Sequence, residues 1–173
     1  FAVGLKGINP LTETQVTKID RYLTQGSLAL LGDSTAIVGR ELALSIGLSV
    51  GSQLQLISTA GKQYSLKIVG VFVSGMYDYD LNLVFVNLKT AQEIFGLSQQ
   101  YNAVSIKLDN HYLAPQVKER LENILGAGYN LRTWMEVNQN FFAALKLEKL
   151  TMFIILTLII LVASFGVIST LIT

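Results

Sequence analysis

The stretch LTMFIILTLIILVASFGVISTLIT, Leu150–Thr173, contains neither a charged residue nor a proline. A bilayer's hydrocarbon core, roughly 30 Å thick, takes about 20 apolar residues in a helix, so this run is long enough to cross one. Residues 150–173 are read as a transmembrane helix and residues 1–135 as a domain of ordinary soluble composition. Phe1 is neither an initiator methionine nor the start of a signal sequence with a basic flank, and nothing polar follows Thr173. The chain is accordingly read as an internal piece, truncated at both ends, of a larger membrane protein.

Working back from the span, no glycine or proline occurs between Gly128 and Gly166. The spacing predicts one uninterrupted helix from about Glu136 into the membrane, roughly 55 Å long, which exceeds the hydrocarbon core by some 25 Å. The surplus, residues 136–149, projects as a stalk. Val137, Phe141, Ala144 and Leu145 form an apolar stripe on it, with Asn138, Gln139, Lys146 and Lys149 largely elsewhere. That stripe packs against the chain's own domain or meets a second subunit or an apolar substrate. Phe141, Phe142, Leu145 and Met152 are the candidate contacts. Within the span, Ala163, Gly166 and Thr170 recur at helical spacing; either helix backbones approach closely there, or the glycine simply faces lipid.

The domain before the stalk alternates strands and helices. Phe1–Ile8 reads as a strand, Thr12–Leu23 as a helix, Ala36–Val38 as a strand, and Arg40–Ile46 as a helix ended by a left-handed Gly47. Gln53–Ile57 and Tyr64–Val69 alternate as a hairpin around a tight loop, Ser58–Gln63, which contains Gly61. Val71–Val73, a polar turn at Ser74–Asp80, a strand at Leu83–Val86 and a helix at Leu88–Phe95 closed by Gly96 follow. Ser98 falls in the loop after it, a position suited to a cysteine label that reports sidedness. Val104–Leu108 is expected as a strand, Pro115–Leu125 as a helix with proline in its first turn, and Asn130–Thr133 as a closing strand. The fold class is α+β, a mixed α/β domain with a β-rich inserted lobe at about 50–87.

Chemistry is excluded more readily than assigned. Thirteen Lys and Arg against twelve Asp and Glu leave a net charge of +1, scattered singly, so there is no basic stripe for nucleic acid. With no cysteine and a single histidine, His111, in a polar connector, neither a disulfide framework nor a transition-metal site is expected. Gly61-Lys62 lacks the upstream glycine of a P-loop, and Gly126-Ala127-Gly128 follows a helix where a dinucleotide site requires a strand. No catalytic residues and no cofactor are therefore assigned. Tyr77, Asp78, Tyr79 and Asp80 remain as either a structural turn or a recognition surface, since exposed tyrosines offer apolar area with a polar tip.

The order of several segments resembles a known family. Ser74-Gly75-Met76-Tyr77-Asp78-Tyr79-Asp80, then Leu83–Val86, then Ala91-Gln92-Glu93-Ile94-Phe95-Gly96, and finally Ala144-Leu145-Lys146-Leu147-Glu148-Lys149 running into Met152-Phe153-Ile154-Ile155-Leu156 resemble the permeases of the bacterial lipoprotein-releasing transporter, LolC/LolE. Gly39-Arg40-Glu41-Leu42-Ala43 and Gly47-Leu48-Ser49-Val50-Gly51 are similar to the same family's segment ahead of its β-rich lobe. The extracytoplasmic fold is shared with MacB-like and FtsX-like permeases. The resemblance covers nearly the whole chain.

It implies a subunit with four spans and a large periplasmic domain between the first two, placing residues 1–149 outside the bacterial inner membrane. It also implies a second permease subunit, a separate cytoplasmic ATPase subunit, membrane lipid, a lipoprotein substrate, and a periplasmic chaperone reached through the partner permease. Hydrolysis on another chain agrees with the missing P-loop. Two departures qualify the likeness. The Ser58–Gln63 loop has no room for the longer, proline-containing hairpin with which family members dock the chaperone, and Phe165 is followed by Gly166 where the family commonly has asparagine. Lys146 and Lys149 beside the span argue, by the positive-inside rule alone, for the opposite orientation. An efflux or mechanotransmission permease of the same fold, or a membrane-tethered binding module, are the alternatives.

Overall fold

The computed structural model describes residues 2–97 and 99–172. Phe1, Ser98 and Thr173 lie outside them, and with Ser98 the labelling position chosen from sequence. The chain divides into two compact units, one ending at Ile106 and one beginning at Lys107.

The first unit is a six-stranded mixed sheet with helices. Its elements are β1 (Gly4–Ile8), α1 (Pro10–Val16), β2 (Leu23–Gly26), β3 (Thr35–Gly39), α2 (Arg40–Ile46), β4 (Gln53–Ile57), β5 (Gln63–Phe72), α3 (Tyr77–Asn82), β6 (Leu83–Asn87) and α4 (Leu88–Phe95). The strands run in the order β1-β6-β3-β5-β2, with β4 paired to β5 off that path. β1 lies parallel to β6 and β3 parallel to β5, while β3 with β6, β2 with β5 and β4 with β5 are antiparallel. The stretch of about 50–87 thus contributes β4, β5 and β6 to one sheet with β1–β3.

Central strands buried on both faces read as continuous apolar runs, and β3 and β6 do so. Alternation sends Ala36, Val38, Val84 and Val86 to one face, where they pack with Leu42 and Ala43 of α2 and Ala91 and Ile94 of α4. Ile37 and Phe85 go to the other, with Ile8, Phe72 and, from two single 3₁₀ turns, Ile19 and Leu28. A bulge opposite Ala36 and Ile37 inserts one extra residue in β5, which resets the alternation so that Val71 shares a face with Ile68. Gly70 lies just beyond it, and the two strands expected either side of that glycine are one ten-residue strand.

Several expectations need correction. The helix expected over Thr12–Leu23 stops at Val16, Lys18 turns into the left-handed region at φ 51°, and Leu23 onward pairs with β5 as β2. Pairing with Val71 and Phe72 overrides the helical periodicity of Tyr22 and Leu23. The polar turn at Ser74–Asp80 is replaced from Tyr77 by the short helix α3. Val104–Leu108 and Asn130–Thr133 form no strand. An alternating pattern supplies a face but not a partner, and Val104 and Ile106 stand 81% and 61% exposed. The local stops hold as expected, with Gly47 and Gly96 both at φ 68° as left-handed caps.

The second unit contains a 3₁₀ turn at His111–Leu113, α5 (Ala114–Leu125), α6 (Trp134–Val137) and α7 (Gln139–Ile172). Pro115 is in the first turn of α5, where its missing N–H costs nothing. α7 is 34 residues long, about 51 Å at 1.5 Å per residue, and it is apolar and long enough to cross a membrane. The uninterrupted helix expected from Glu136 is corrected here: Asn138, at φ −107° and ψ 30°, separates α6 from α7.

Gly39 shows how the sheet accepts α3. A Cβ there would collide with the backbone of Asp80, so the strand end and the helix approach without a side chain between them. The Asp80 carboxylate, 3% exposed, accepts from the Ser74 backbone N–H at 2.8 Å and from the Ser74 hydroxyl at 2.7 Å. Asp80→Ala should strand the Ser74 N–H and lower unfolding stability by about 1–3 kcal/mol, read by chemical denaturation. Gly39→Ala should cost a similar amount, about 1–3 kcal/mol, through backbone overpacking. Unchanged midpoints would show the α3 contact to be incidental.

Candidate functional site

The base of the long helix is where polar chemistry and aromatic packing converge in the second unit. The first N–H groups of a helix lack intrahelical partners, and α6 meets that need with a capping box. Thr133 Oγ1 accepts from the Glu136 N–H at 3.2 Å, and a Glu136 carboxylate oxygen accepts from the Thr133 N–H at 2.8 Å. The other carboxylate oxygen receives Lys118 Nζ from α5 at 2.7 Å, and Lys118 also reaches Glu122 at 3.6 Å. Glu136 therefore ties the start of the helical stalk to a neighbouring helix with the carboxylate that caps it.

Trp134 forms the apolar half of this joint. Its indole N–H donates to the His111 carbonyl at 3.4 Å, and its ring meets those of His111 at 5.9 Å and Phe142 at 5.1 Å, both edge-on. His111 in turn lies against Tyr112 at 4.1 Å. Asn138 donates its side-chain amide to the Trp134 carbonyl at 2.7 Å and gives its own carbonyl to the Phe142 N–H at 3.2 Å, which closes α6 and starts α7. His111, expected in a polar connector, thus packs with Trp134, and residue spacing marks Glu136 only as the start of a helix and neither Trp134 nor Lys118 as its partners. The Thr133-x-x-Glu136 spacing was the one signal available for the cap.

The candidate contacts separate. Phe141, Leu145 and Met152 follow one another along one side of α7, all exposed, whereas Phe142 turns toward Trp134. Phe141 meets Phe142 edge-on at 5.8 Å. Leu145 and Met152, with Glu148, Lys149, Phe153 and Leu156, border a shallow open concavity on the helix surface. Ala163, Gly166 and Thr170 lie further along α7; the Thr170 hydroxyl donates back to the Val167 carbonyl at 2.8 Å, and open space surrounds Gly166. In α3, Tyr77 and Tyr79 are exposed while Asp80 is spent on Ser74. Asp78 is exposed beside the tyrosines.

Electrostatics keep the Glu136–Lys118 link closed at neutral pH. The Lys118 hydrogen bond, then the Thr133 N–H, holds Glu136 below the usual carboxylate value, and the Glu136 hydrogen bond holds Lys118 above the usual lysine value. A depressed acid contributes fully above its ordinary pKa and loses that contribution as pH falls through the lowered value. A raised base contributes below its ordinary pKa and loses it as pH rises through the raised value. The link therefore persists across the neutral range and opens in acid as Glu136 protonates. Thr133→Ala should remove the cap, lower stability by about 1 kcal/mol, and speed amide exchange at Glu136 more than at Leu121.

A sequence model of the MacB-like periplasmic core domain matches residues 3–124. The chain is also 31% identical to the lipoprotein-releasing system transmembrane protein LolC of Neisseria meningitidis serogroup B strain MC58, over 98% of its own length and 44% of that protein. It is 31% identical to LolC of Xylella fastidiosa strain Temecula1 over 95% of its length and 42% of that protein, and 30% identical to LolC of strain 9a5c over the same shares. The chain spans a little under half the length of these curated relatives. With a core-domain match over most of the chain and LolC likeness continuing through the long apolar helix, the chain belongs to the LolC/MacB-like permease family.

Proposed function

We propose that this chain is part of a permease subunit of an ABC transporter that extracts lipoproteins from the bacterial inner membrane for transfer towards the outer membrane. The observation that carries this reading is the likeness to LolC over nearly the whole chain, which runs from the sheet through the stalk into α7. In this reading residues 1–135 are periplasmic, 136–149 form the stalk and 150–173 cross the membrane. ATP is hydrolysed on a separate cytoplasmic subunit, in keeping with a sequence that has no P-loop. The partners are that ATPase, a second permease subunit, membrane lipid and the lipoprotein.

A chaperone is reached through the partner permease, because the β4–β5 loop is tight. Ser58 N–H donates to the Lys62 carbonyl at 2.8 Å and Gly61 N–H to the Ser58 carbonyl at 2.9 Å. The MacB-like domain match favours, as a second reading, an efflux or mechanotransmission permease. Depletion of the full-length protein separates the two: lipoproteins retained in the inner membrane support release, and normal lipoprotein sorting with altered export of small molecules supports efflux.

Sidedness is tested at Lys62, exposed in the hairpin loop, in a background where any cysteine outside these 173 residues, which contain none, has been replaced. Lys62→Cys in the full-length protein should react with an impermeant thiol reagent once the outer membrane is permeabilised. Labelling only after the inner membrane is broken would reverse the orientation.

In the span, Ala163, Gly166 and Thr170 are the proposed packing surface toward another membrane helix, since small residues let backbones approach where dispersion drives association. Gly166→Leu should insert normally but lose co-purification with the partner permease. Phe141 and Leu145 in the stalk and Met152 at the start of the span are proposed to meet substrate or the partner subunit, and Tyr77 and Tyr79 to offer a further contact.

Stiffness is the mechanical consequence of an unbroken α7. Proline at Ala144, in the helix interior, removes a backbone donor and clashes with the preceding turn at a cost of about 3 kcal/mol or more. Ala144→Pro should insert, assemble and hydrolyse ATP yet release little substrate, whereas Phe141→Ala and Leu145→Ala should reduce release less. Normal release by Ala144→Pro would make the stalk a tether.

A further inference from the structure

The departure from helical geometry at Asn138 poses a mechanical problem. A lever that begins with a break can bend there, and movement of α7 would then be absorbed before reaching the rest of its unit. One contact spans the break, and two brace the segment just before it. Glu136 grips Lys118 on one side of it at 2.7 Å, Trp134 packs across it onto Phe142 at 5.1 Å, and the Asn138 amide bonds back to the Trp134 carbonyl at 2.7 Å.

Of these, the Glu136 contact alone reaches outside the stalk to α5 through a charged group, and its geometry is set in advance. One carboxylate oxygen is held by the Thr133 N–H at 2.8 Å, so the side chain is already oriented when Lys118 bonds to the other. Exposed ion pairs between two freely rotating chains contribute little; here one partner is fixed by the cap, which reduces the ordering that the pair must offset. Trp134 adds a second tie in the same direction, because its indole N–H bonds to the His111 carbonyl in the turn that leads into α5.

We propose that Glu136 is a positioning residue which, through Lys118, clasps α6 to α5 so that α5 and the base of α7 move as one body. The clasp deepens the lever reading of α7 and rests on it for its role in transport, although its rigidity stands apart from any substrate. Lys118 and Glu136 are 18 positions apart, so the clasp exists only in the folded unit.

The test uses the full-length permease assembled with its partner and ATPase in liposomes. Spin labels at Glu119→Cys on α5 and Lys146→Cys on α7, both exposed and outside the clasp, report the distance between the two helices. The expected result is one narrow distance distribution that is the same with and without nucleotide. Lys118→Glu should broaden it and make it nucleotide-dependent, whereas Lys118→Arg, which keeps a cationic donor and leaves the cap intact, should keep the distribution narrow. Glu136→Gln keeps an oxygen for the Thr133 N–H but removes the charge, and should broaden the distribution as Lys118→Glu does.

A narrow distribution in Lys118→Glu or in Glu136→Gln overturns the clasp. Broadening by Lys118→Arg as large as that by Lys118→Glu would show that the charge of Lys118 is not what joins the helices and overturn the clasp equally. Release per ATP hydrolysed should fall several-fold in Lys118→Glu and stay near normal in Lys118→Arg. The two readings fail separately: Ala144→Pro with normal release removes the lever, while the distances still decide whether α5 and α7 are joined.

Discussion

A helix in hydrocarbon has no water to satisfy a broken backbone hydrogen bond, so an irregularity that would face lipid is best placed outside the bilayer. This constraint organises the second unit. The apolar part of α7 is regular, and the hydroxyls within it turn inward on their own helix: Thr157 donates to the Phe153 carbonyl and Ser164 to the Ile160 carbonyl, each at 2.8 Å. The departure is placed at Asn138, twelve residues before the uncharged run begins at Leu150. There polar side chains can absorb it. The cap of Thr133 and Glu136 serves the start of α6, the Asn138 amide bonds the Trp134 carbonyl, and the Lys118 ammonium pairs with the capping carboxylate.

The first unit solves a different problem with the same economy of backbone groups. β5 holds the sheet together because its ten residues are long enough to pair with β3 along one edge and with both β2 and β4 along the other. The bulge at Val69 lets one strand serve two registers and returns Val71 to the face of Ile68, which keeps both sides of the sheet apolar. Glycine is used where backbones must touch. Gly39 admits the Asp80 main chain, and Gly7 admits Ala91 of α4.

Among the described residues neither unit presents a constellation of groups suited to bond-making chemistry, and the proposed role asks for none. Binding and the transmission of movement need exposed apolar surface, stiff elements and defined joints. In the proposed role the exposed Phe141, Leu145 and Met152 are the surface, α7 the stiff element, and the Glu136–Lys118 and Trp134–His111 contacts the joint.

What the sequence determined by itself was whatever depends on local interactions. The span follows from an uncharged apolar run, the stops at Gly47 and Gly96 from the ease with which glycine turns left-handed, and the start of α5 from proline's dispensable N–H. The strands β4 and β6 and the helices α2 and α4 are short, strongly patterned and closed by their own neighbours, so they too were legible. Tertiary structure decided the rest. Whether Leu23–Gly26 is helix or strand depends on β5 lying beside it, and Val104–Leu108 shows the converse, an alternating pattern without a ladder. Asp80 became a buried acceptor because Gly39 let α3 approach. Glu136 found Lys118, and Trp134 found His111, across sequence separations that no periodicity encodes. Pattern gives each segment a face, but only the folded chain gives that face something to meet.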